Sequence, residues 1–587
     1  MYNHMIKIYT ILFIKLTFAA LTSKAQLIIS SGASLNIQSS AVLSIGGNIS
    51  GNGDVTGEGV IVLNGTAGVQ NVNMNGFTIP NLQIAPASTF NTISNLIVEG
   101  DLTGFADITG SGKIILKGDT ASQNVNMNGF TISNLEIYNP FNAYLTGNTR
   151  VGSSILFTAG KINTGNFNLN LAPATGFTGM GSGKFLETSG TGQVVQELNA
   201  NVTAAEIPLG AGNIYRPAFV TTTGTYSNAN IGVKVLAVAD PNRPPSVSDY
   251  LSAYWPVTRT GVTGTVTLAG QYDVADVTGN EANLKGYYYL PADWTSVATT
   301  IDAVNKRISA PITASTGSLY AMDKFNLVKM KAFLQGAYNT STGMMTDNLR
   351  TLGYLPNSDP YRVAPYTSSF THVNNSITEN VPASVFNTNA IGGDNIVDWV
   401  FLELRDNNTT ANTILQTRSA LIQRDGDIVD VDGVSPVTFN NMATGNYTVA
   451  VRHRNHLGLS TDPVAFNNLL SETKSTTTSI DISAASDNQL FGTAAAYKIS
   501  SDGKNLLWGG NGNNDTKSNY INPANDKDNL LSFGLGGVYG ATINGYSKYD
   551  FNMNGVVKYI NPGNDKDFLL SAILGGSSGT FRIQQLP

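Results

Sequence analysis

Between Leu27 and Glu197 the chain repeats itself. Gln70-Asn71-Val72-Asn73-Met74-Asn75-Gly76-Phe77-Thr78-Ile79 returns as Gln123-Asn124-Val125-Asn126-Met127-Asn128-Gly129-Phe130-Thr131-Ile132, an offset of 53 residues. Just upstream, Gly59-Val60-Ile61-Val62-Leu63 returns as Gly112-Lys113-Ile114-Ile115-Leu116. Just downstream, Asn81-Leu82-Gln83-Ile84 returns as Asn134-Leu135-Glu136-Ile137. Before the repeat, Ala33-Ser34-Leu35-Asn36-Ile37 and Ala41-Val42-Leu43-Ser44-Ile45 alternate with period two, the signature of a strand with one buried face. Asn and Gly punctuate the runs and tolerate left-handed corners. Strands this short bury their apolar side chains only when a neighbouring coil covers them. The pattern therefore predicts a parallel β-solenoid over residues 26–197. A β-sandwich with a duplicated hairpin is the competing architecture.

Solenoids that cleave polysaccharides need carboxylates gathered on one face. Here Asp54, Glu58, Glu99, Asp101, Asp107, Asp119 and Glu136 are spread thinly. Glu58 and Glu136 fall inside matched segments, but their counterparts are Ser111 and Gln83, so the repeat preserves no acid. No catalytic residue is expected in this region or elsewhere.

The chain has 34 Lys and Arg against 40 Asp and Glu, a net charge of −6, and only 13% charged residues. Neutralising phosphates takes clustered cations, so nucleic acid is excluded as a partner. There is no cysteine, so stability must come from core burial, repeat stacking or bound metal. Lys7, the apolar run from Ile8 to Leu21 and the small residues Ser23 and Ala25 read as a secretory signal over 1–25, cleaved before Gln26. An uncleaved anchor is the alternative. No further apolar run is long enough to span a bilayer, so the mature chain is expected to be secreted, extracellular or at the cell surface.

Residues 198–325 lose the repeat and carry β segments at sandwich-like spacing. Tyr287, Tyr288, Tyr289 and Trp294 are either platforms for sugar rings or alternating core residues of one strand, and the core reading is favoured. Residues 326–497 form a third β-rich module. Met344 to Gly353 has helical spacing, Asn395 to Arg405 reads as a long buried strand, and Arg424-Asp425-Gly426-Asp427 as a hairpin. Asn446 to Leu457 reads as a closing strand. Along one strand His453 and His456 would point to opposite faces, which argues against a shared ion unless a bulge intervenes. Arg452 and Arg454 would share a face, for a ligand carboxylate or for Asp425, Asp427 or Asp430.

Two stretches near the C-terminus are built alike. Asp550, Asn552 and Asn554 place oxygens at alternate positions before Gly555, as a calcium loop opens. Asn511, Asn513 and Asp515 do the same 39 residues earlier, and Tyr520-Ile521-Asn522-Pro523 matches Tyr559-Ile560-Asn561-Pro562. The usual twelfth-position acid falls on Asn522 and Asn561. Asp526 and Asp565, four residues on, are expected to close the two sites. Oxygen-only donors favour calcium over zinc, and the many neutral amides imply modest affinity. The alternative is that the asparagines only make tight turns. A short apolar helix should follow each loop.

These features carry resemblances. The N-terminal repeat is similar to the β-helical repeats of large bacterial surface proteins, filamentous-haemagglutinin-like adhesins among them. The order Lys331-Ala332-Phe333-Leu334-Gln335-Gly336, Val397-Asp398-Trp399-Val400, Arg424 to Asp430, Gly445-Asn446-Tyr447 and Arg452-His453-Arg454-Asn455-His456-Leu457 resembles a haemagglutinin-like module of secreted proteins from Bacteroidetes-type bacteria. The paired loops of 498–587 resemble dockerin modules, which dock to a partner protein. The expectation is a mainly β, multidomain chain: β-solenoid-like repeats, β-sandwich modules and a small dockerin-like calcium module with short helices. The resemblances imply an adhesin or structural protein contacting glycans or surface proteins. A carbohydrate-active enzyme with accessory modules, or a scaffold docking through its C-terminal repeats, are the competing readings.

Overall fold

The computed structural model describes residues 26–65, 68–290, 293–296, 301–387, 392–407, 412–442, 446–463, 470 and 477–587. The expected signal segment 1–25 and Gly445 lie outside them. Strand takes 46% of the chain and helix 8%, so the fold is mainly β. The chain forms two compact units. One holds residues up to 218 with 223–235 and 259–264; the other holds 219–222, 236–258 and 265–587. Segments of 198–325 thus contribute to both.

The first unit is a β-solenoid of about 9 turns. Each full turn lays down three short strands, and each strand pairs in parallel with its equivalent one turn away. One ladder runs through Val42–Ile45, Val60–Leu63, Asn81–Ile84 and Leu102–Gly104. Alternate residues point inward, and Ile61, Leu63, Leu82, Ile84 and Leu102 are at most 1% exposed. At the last turn Val194–Leu198 pairs antiparallel with part of Ala218–Val233.

A turn of the coil ranges from 18 residues (Val42 to Val60) to 25 (Leu169 to Val194). The 53-residue repeat is therefore not the coil. Val60–Leu63 and its counterpart Ile114–Leu116 are eight strands apart, two and two-thirds turns, and they lie on different faces. What the repeat preserves is local bonding. Gln70 is buried and donates through Nε2 to the Ile45 and Gly47 carbonyls. Gln123, one face round, donates to those of Val98 and Gly100 at 2.8 and 2.6 Å. Each glutamine ties one strand end to the strand end 25 residues earlier.

In the second unit, the two ends of Trp255–Gln271 (255–258 and 267–271) join Leu284–Leu290, Arg307–Pro311 and Thr316–Asp323 in an antiparallel arrangement. Tyr287, Tyr288 and Trp294 are buried in its core. Phe325 stacks on Tyr287 with ring centres 5.3 Å apart, joining this sheet to the next. There the strand order is Val437–Asn440, Phe325–Lys331, Asp427–Val429, Ile414–Gln423, Ile396–Arg405, Thr448–His453 and His456–Ser460. All ten residues of Ile396–Arg405 are buried, the charged Asp398, Glu403 and Arg405 among them. The Asp425-Gly426 turn forms, with Gly426 at a φ of 96°.

Two local readings change. The helix expected from Met344 reduces to Asn348–Thr351, because Met344 and Met345 pair as strand with Tyr338 and Asn339. The expected single strand 446–457 is a hairpin that turns at Arg454-Asn455.

Gln70→Leu and Gln123→Leu should each cost about 1–3 kcal/mol, the price of a lost buried hydrogen-bond donor. The exposed Gln38→Leu should change stability by less than about 0.5 kcal/mol. Denaturant unfolding of the three variants measures this. A cost at only one of the buried pair would show that the repeat does not preserve its bonding.

Candidate functional site

The turn at Arg454-Asn455 is two residues long, so it brings His453 opposite His456. Their Nδ1 atoms are 2.9 Å apart. The surrounding atoms fix the protons. The Gly336 N–H donates to His456 Nε2 at 3.0 Å, which leaves the ring proton of His456 on Nδ1. That proton points to Asn455 Oδ1 at 2.7 Å and to His453 Nδ1. His453 Nδ1 is then an acceptor, and its Nε2 proton goes to Asp398 Oδ2 at 3.0 Å. Both rings are neutral in this arrangement. Burial lowers both, His456 far below its ordinary value with the neighbouring His453 and Arg454 adding to the effect, while the Asp398 charge pulls His453 partly back.

The charge of Asp398 is met by Arg454, whose Nε lies 2.9 Å from Oδ2. The Tyr546 hydroxyl at 2.8 Å and the Trp399 N–H at 2.7 Å donate to the other oxygen. Burial opposes the ionised carboxylate, but Arg454 and the donors around it hold it at about 2. Asp398 and Arg454 have no exposure to solvent. The shared-ion question for the two histidines thus resolves by turn geometry. The rings do meet, and their nitrogens are already used.

The same turn clamps both calcium-type loops. The Asn455 carbonyl accepts from the Asn511 N–H at 3.0 Å, and its Nδ2 donates to the Asp550 carbonyl at 2.6 Å. The Arg454 carbonyl accepts from Asn514 Nδ2, and its guanidinium donates to the Ser547 carbonyl. Gly336 must be small: a Cβ there would lie 2.3 Å from the Phe551 carbonyl. Trp508, Leu530, Tyr549, Phe551, Val557, Leu569 and Ile573 then form one shared core with Leu457. Residues 498–587 are thus tied to the preceding module by backbone bonds as well as by packing.

Within the loops, the two closing aspartates make matching contacts. Asp526 accepts from the N–H groups of Gly512 and Asn519 at 2.8 and 2.9 Å, and Asp565 from those of Phe551 and Lys558 at 2.8 and 3.0 Å. Each draws its loop shut by backbone bonds. Asp526 and Asp565 begin the helical turns Asp526–Asn529 and Asp565–Phe568. Asp550 accepts from Asn554 and Gly555, Asn552 Oδ1 from Asn554, and Asn554 Oδ1 from Val556. In the first loop Asn513 Oδ1 accepts from Asp515, and the exposed Asp515 from Lys517. The buried oxygens of Asn511, Asn514 and Asn519, by contrast, receive no donor among the described residues.

The donor chemistry of these loops fits a hard cation, with oxygen atoms only. Burial pushes Asp565 up to about 8, with the Asp550 charge adding to it, and pushes Asp526 well above its ordinary range. Their carboxylates keep spare lone pairs after the backbone bonds. The first loop offers the unpaired amide oxygens as well, whereas the second satisfies its own.

Arg452 pairs with Glu403 at 2.9 Å, Arg418 takes up Asp430 at 3.1 Å, and Lys331 faces Asp427 at 3.5 Å. Alternation along a strand could not assign these partners, since they lie on other strands. Sequence reasoning also missed Asp359, His372 and Glu379, whose ligand atoms lie within 4.8 Å of one another. Their charge is met by Arg362, 3.3 Å from Asp359, and Arg418, 2.9 Å from Glu379. These residues are scattered over 60 positions of chain (Asp359 to Arg418), with no motif to link them. No family model, curated protein or solved structure matches the chain.

Arg454→Met leaves Asp398 charged and unpaired, and should cost about 3–5 kcal/mol. Tyr546→Phe removes one hydrogen bond and should cost about 1 kcal/mol. Limited proteolysis should release fragments from 498–587 far faster in the first variant. Equal protection of both variants would remove Asp398–Arg454 as the anchor of the tail.

Proposed function

We propose that this chain is an exported display protein, an adhesin or structural component of a bacterial surface. Its contact is with glycans or other surface proteins, and its C-terminal loop pair is stabilised by calcium. The solenoid carries this reading. Stacked coils hold rows of outward Asn, Thr and Ser side chains at fixed spacing, such as Asn91 donating to Asn71 at 2.8 Å. Such an extended, rigid polar surface suits repeated weak contacts. The buried, mutually satisfied histidines also favour binding over catalysis, since an acid–base group must reach its substrate. The resemblance to haemagglutinin-like secreted proteins agrees with it.

Calcium would be held by Asn511, Asn513, Asp515 and Asp526 in the first loop and by Asp550, Asn552, Asn554 and Asp565 in the second. It would supply positive charge to buried carboxylates and so stabilise the tail. Docking of a protein partner through the tail is a second reading. Apolar side chains exposed there favour it, with Phe533 75% and Tyr539 60% accessible. Loss of surface attachment in Phe533→Ser with Tyr539→Ser, at an unchanged melting temperature, would support that reading.

Calcium should raise the melting temperature of the full chain, and chelator should reverse the rise. Asn511→Asp adds charge where an amide oxygen has no donor, so it should enlarge the response. Asp565→Ala should shrink it more than Asp567→Ala. A melt indifferent to calcium and chelator removes the metal.

Residues 26–587 should bind members of a glycan array without altering them. Release of a cleaved product would favour the enzyme reading. An empty array would leave protein partners as the contact.

A further inference from the structure

The first turn of the coil consists of Leu27–Ile29, Ser34–Ile37 and Val42–Ile45. Each strand pairs in parallel with its equivalent in the next turn. Among the described residues, no strand pairs with the other edge of any of the three. Their free backbone groups are a template for further strands. Leu27, Leu35 and Leu43 share the inward face with the buried Ile29, Ile37 and Ile45, two residues on. All three leucines are only half-buried. Their ladder partners one turn deeper, Ile49, Val55 and Ile61, are 3%, 0% and 0% exposed. Each face thus leaves one core leucine part-open at this end.

Proteins blunt such edges with charges, prolines, bulges or a covering segment. Residues 26–53 contain no charged residue and no proline, and no register shift interrupts the three ladders. The far end of the coil is finished differently. There Val194–Leu198 is covered antiparallel by part of Ala218–Val233, and Leu209–Ala211 by Ile214–Tyr215.

An occupant must offer three strands at the spacing of three faces and set apolar side chains against the leucines. A lone strand from another protein covers one face. A second copy of this end covers all three, because the first turn is symmetric about its middle strand. Its two corners match: the Ala33 N–H donates to the Ser30 carbonyl at 3.0 Å, and the Ala41 N–H to that of Gln38 at 2.9 Å. The leucines recur every eight residues. A two-fold axis through the middle strand reverses the chain direction, so all contacts become antiparallel. Asn36 then meets its own copy, and Ile28 of each chain meets Ser44 of the other. Inward residues meet inward ones, Leu27 with Ile45 and Ile29 with Leu43, as the pleat requires. The coil climbs as it goes round, and this axis alone keeps the three gaps equal. With no charges present, identical ends do not repel. We propose that the first turn is a homodimer interface, at which two copies of this chain join coil to coil by antiparallel edge pairing. The contact is isologous. It extends the rows of outward polar side chains whatever they touch, and so does not depend on the display reading.

Ile28 is 64% exposed and Ser44 is exposed, both on the outward face. Sedimentation velocity of residues 26–587 should show a concentration-dependent dimer. Ile28→Lys with Ser44→Lys sets like charges across both exchanged contacts. Ile28→Lys with Ser44→Glu sets opposite charges there. The first pair should dimerise about tenfold more weakly than the second. Circular dichroism should show both folded, since neither side chain packs in the coil. A monomer at every concentration overturns the proposal, and so does a dimer that the two variants affect equally. A chain of residues 1–587 that stays monomeric where 26–587 dimerises would make 1–25 the occupant of this end and overturn it as well.

Discussion

The Asp398 charge is sealed from water, and the arrangement of the tail follows from how it is met. A buried carboxylate is tolerated when an opposite charge and hydrogen bonds surround it. Arg454 supplies the charge, and His453, Tyr546 and Trp399 supply the bonds. Arg454 belongs to the turn between two strands, and Tyr546 to the segment leading into the second loop. Satisfying one aspartate therefore fixes the turn, and the turn's own amides and carbonyls then fix both loops. The two histidines complete the network as neutral, oriented spacers.

Other buried carboxylates in the same unit are met differently. Asp526 and Asp565 have backbone N–H groups and, among the described residues, no ion pair; they shape their loops yet retain the cost of burying charge. Glu379 and Asp430 share Arg418. Asp323 makes no ion pair, and its carboxylate takes no hydrogen bond, among the described residues. Ranking the acids by how fully they are met separates structural ones from those still able to receive something. By that ranking the two loop aspartates are the acids that the proposed cation would stabilise most.

Much of the fold was legible in the sequence because burial periodicity is a local property. The alternation in Ser34–Ile37 and Val42–Ile45 marked strands, and the apolar-rich, β-prone stretch Ile396–Arg405 marked a central one. The Asn and Gly corners between short strands marked a coil. The candidate site was legible only in pieces. The loop residues announced themselves by spacing, but the contacts of Asp398 with Arg454 and Tyr546 span 56 and 148 positions and leave no local trace. The turn at Arg454-Asn455 was hidden because its one turn-prone residue, Asn455, stands without a glycine or proline beside it and strand-like residues flank it on both sides. The helix from Met344 failed because Tyr338 and Asn339 offered Met344 and Met345 a strand partner, a tertiary preference that local spacing cannot register.

The repeat shows the same division between local and global. A 53-residue duplication that is not a whole number of turns moves every strand to another face, yet Gln70 and Gln123 make equivalent bonds. This works because the faces of a coil offer a strand nearly the same surroundings: an apolar row inward, a parallel neighbour before and after, and a strand end 25 residues earlier to tie down. The requirement on each segment is its own alternation and its own corner residue, and its place around the coil is set by the count of strands before it. A solenoid can therefore grow by units set by strand number and not by turn length. Outward side chains carried by such a unit reappear on another face, which spreads one set of surface residues around the coil.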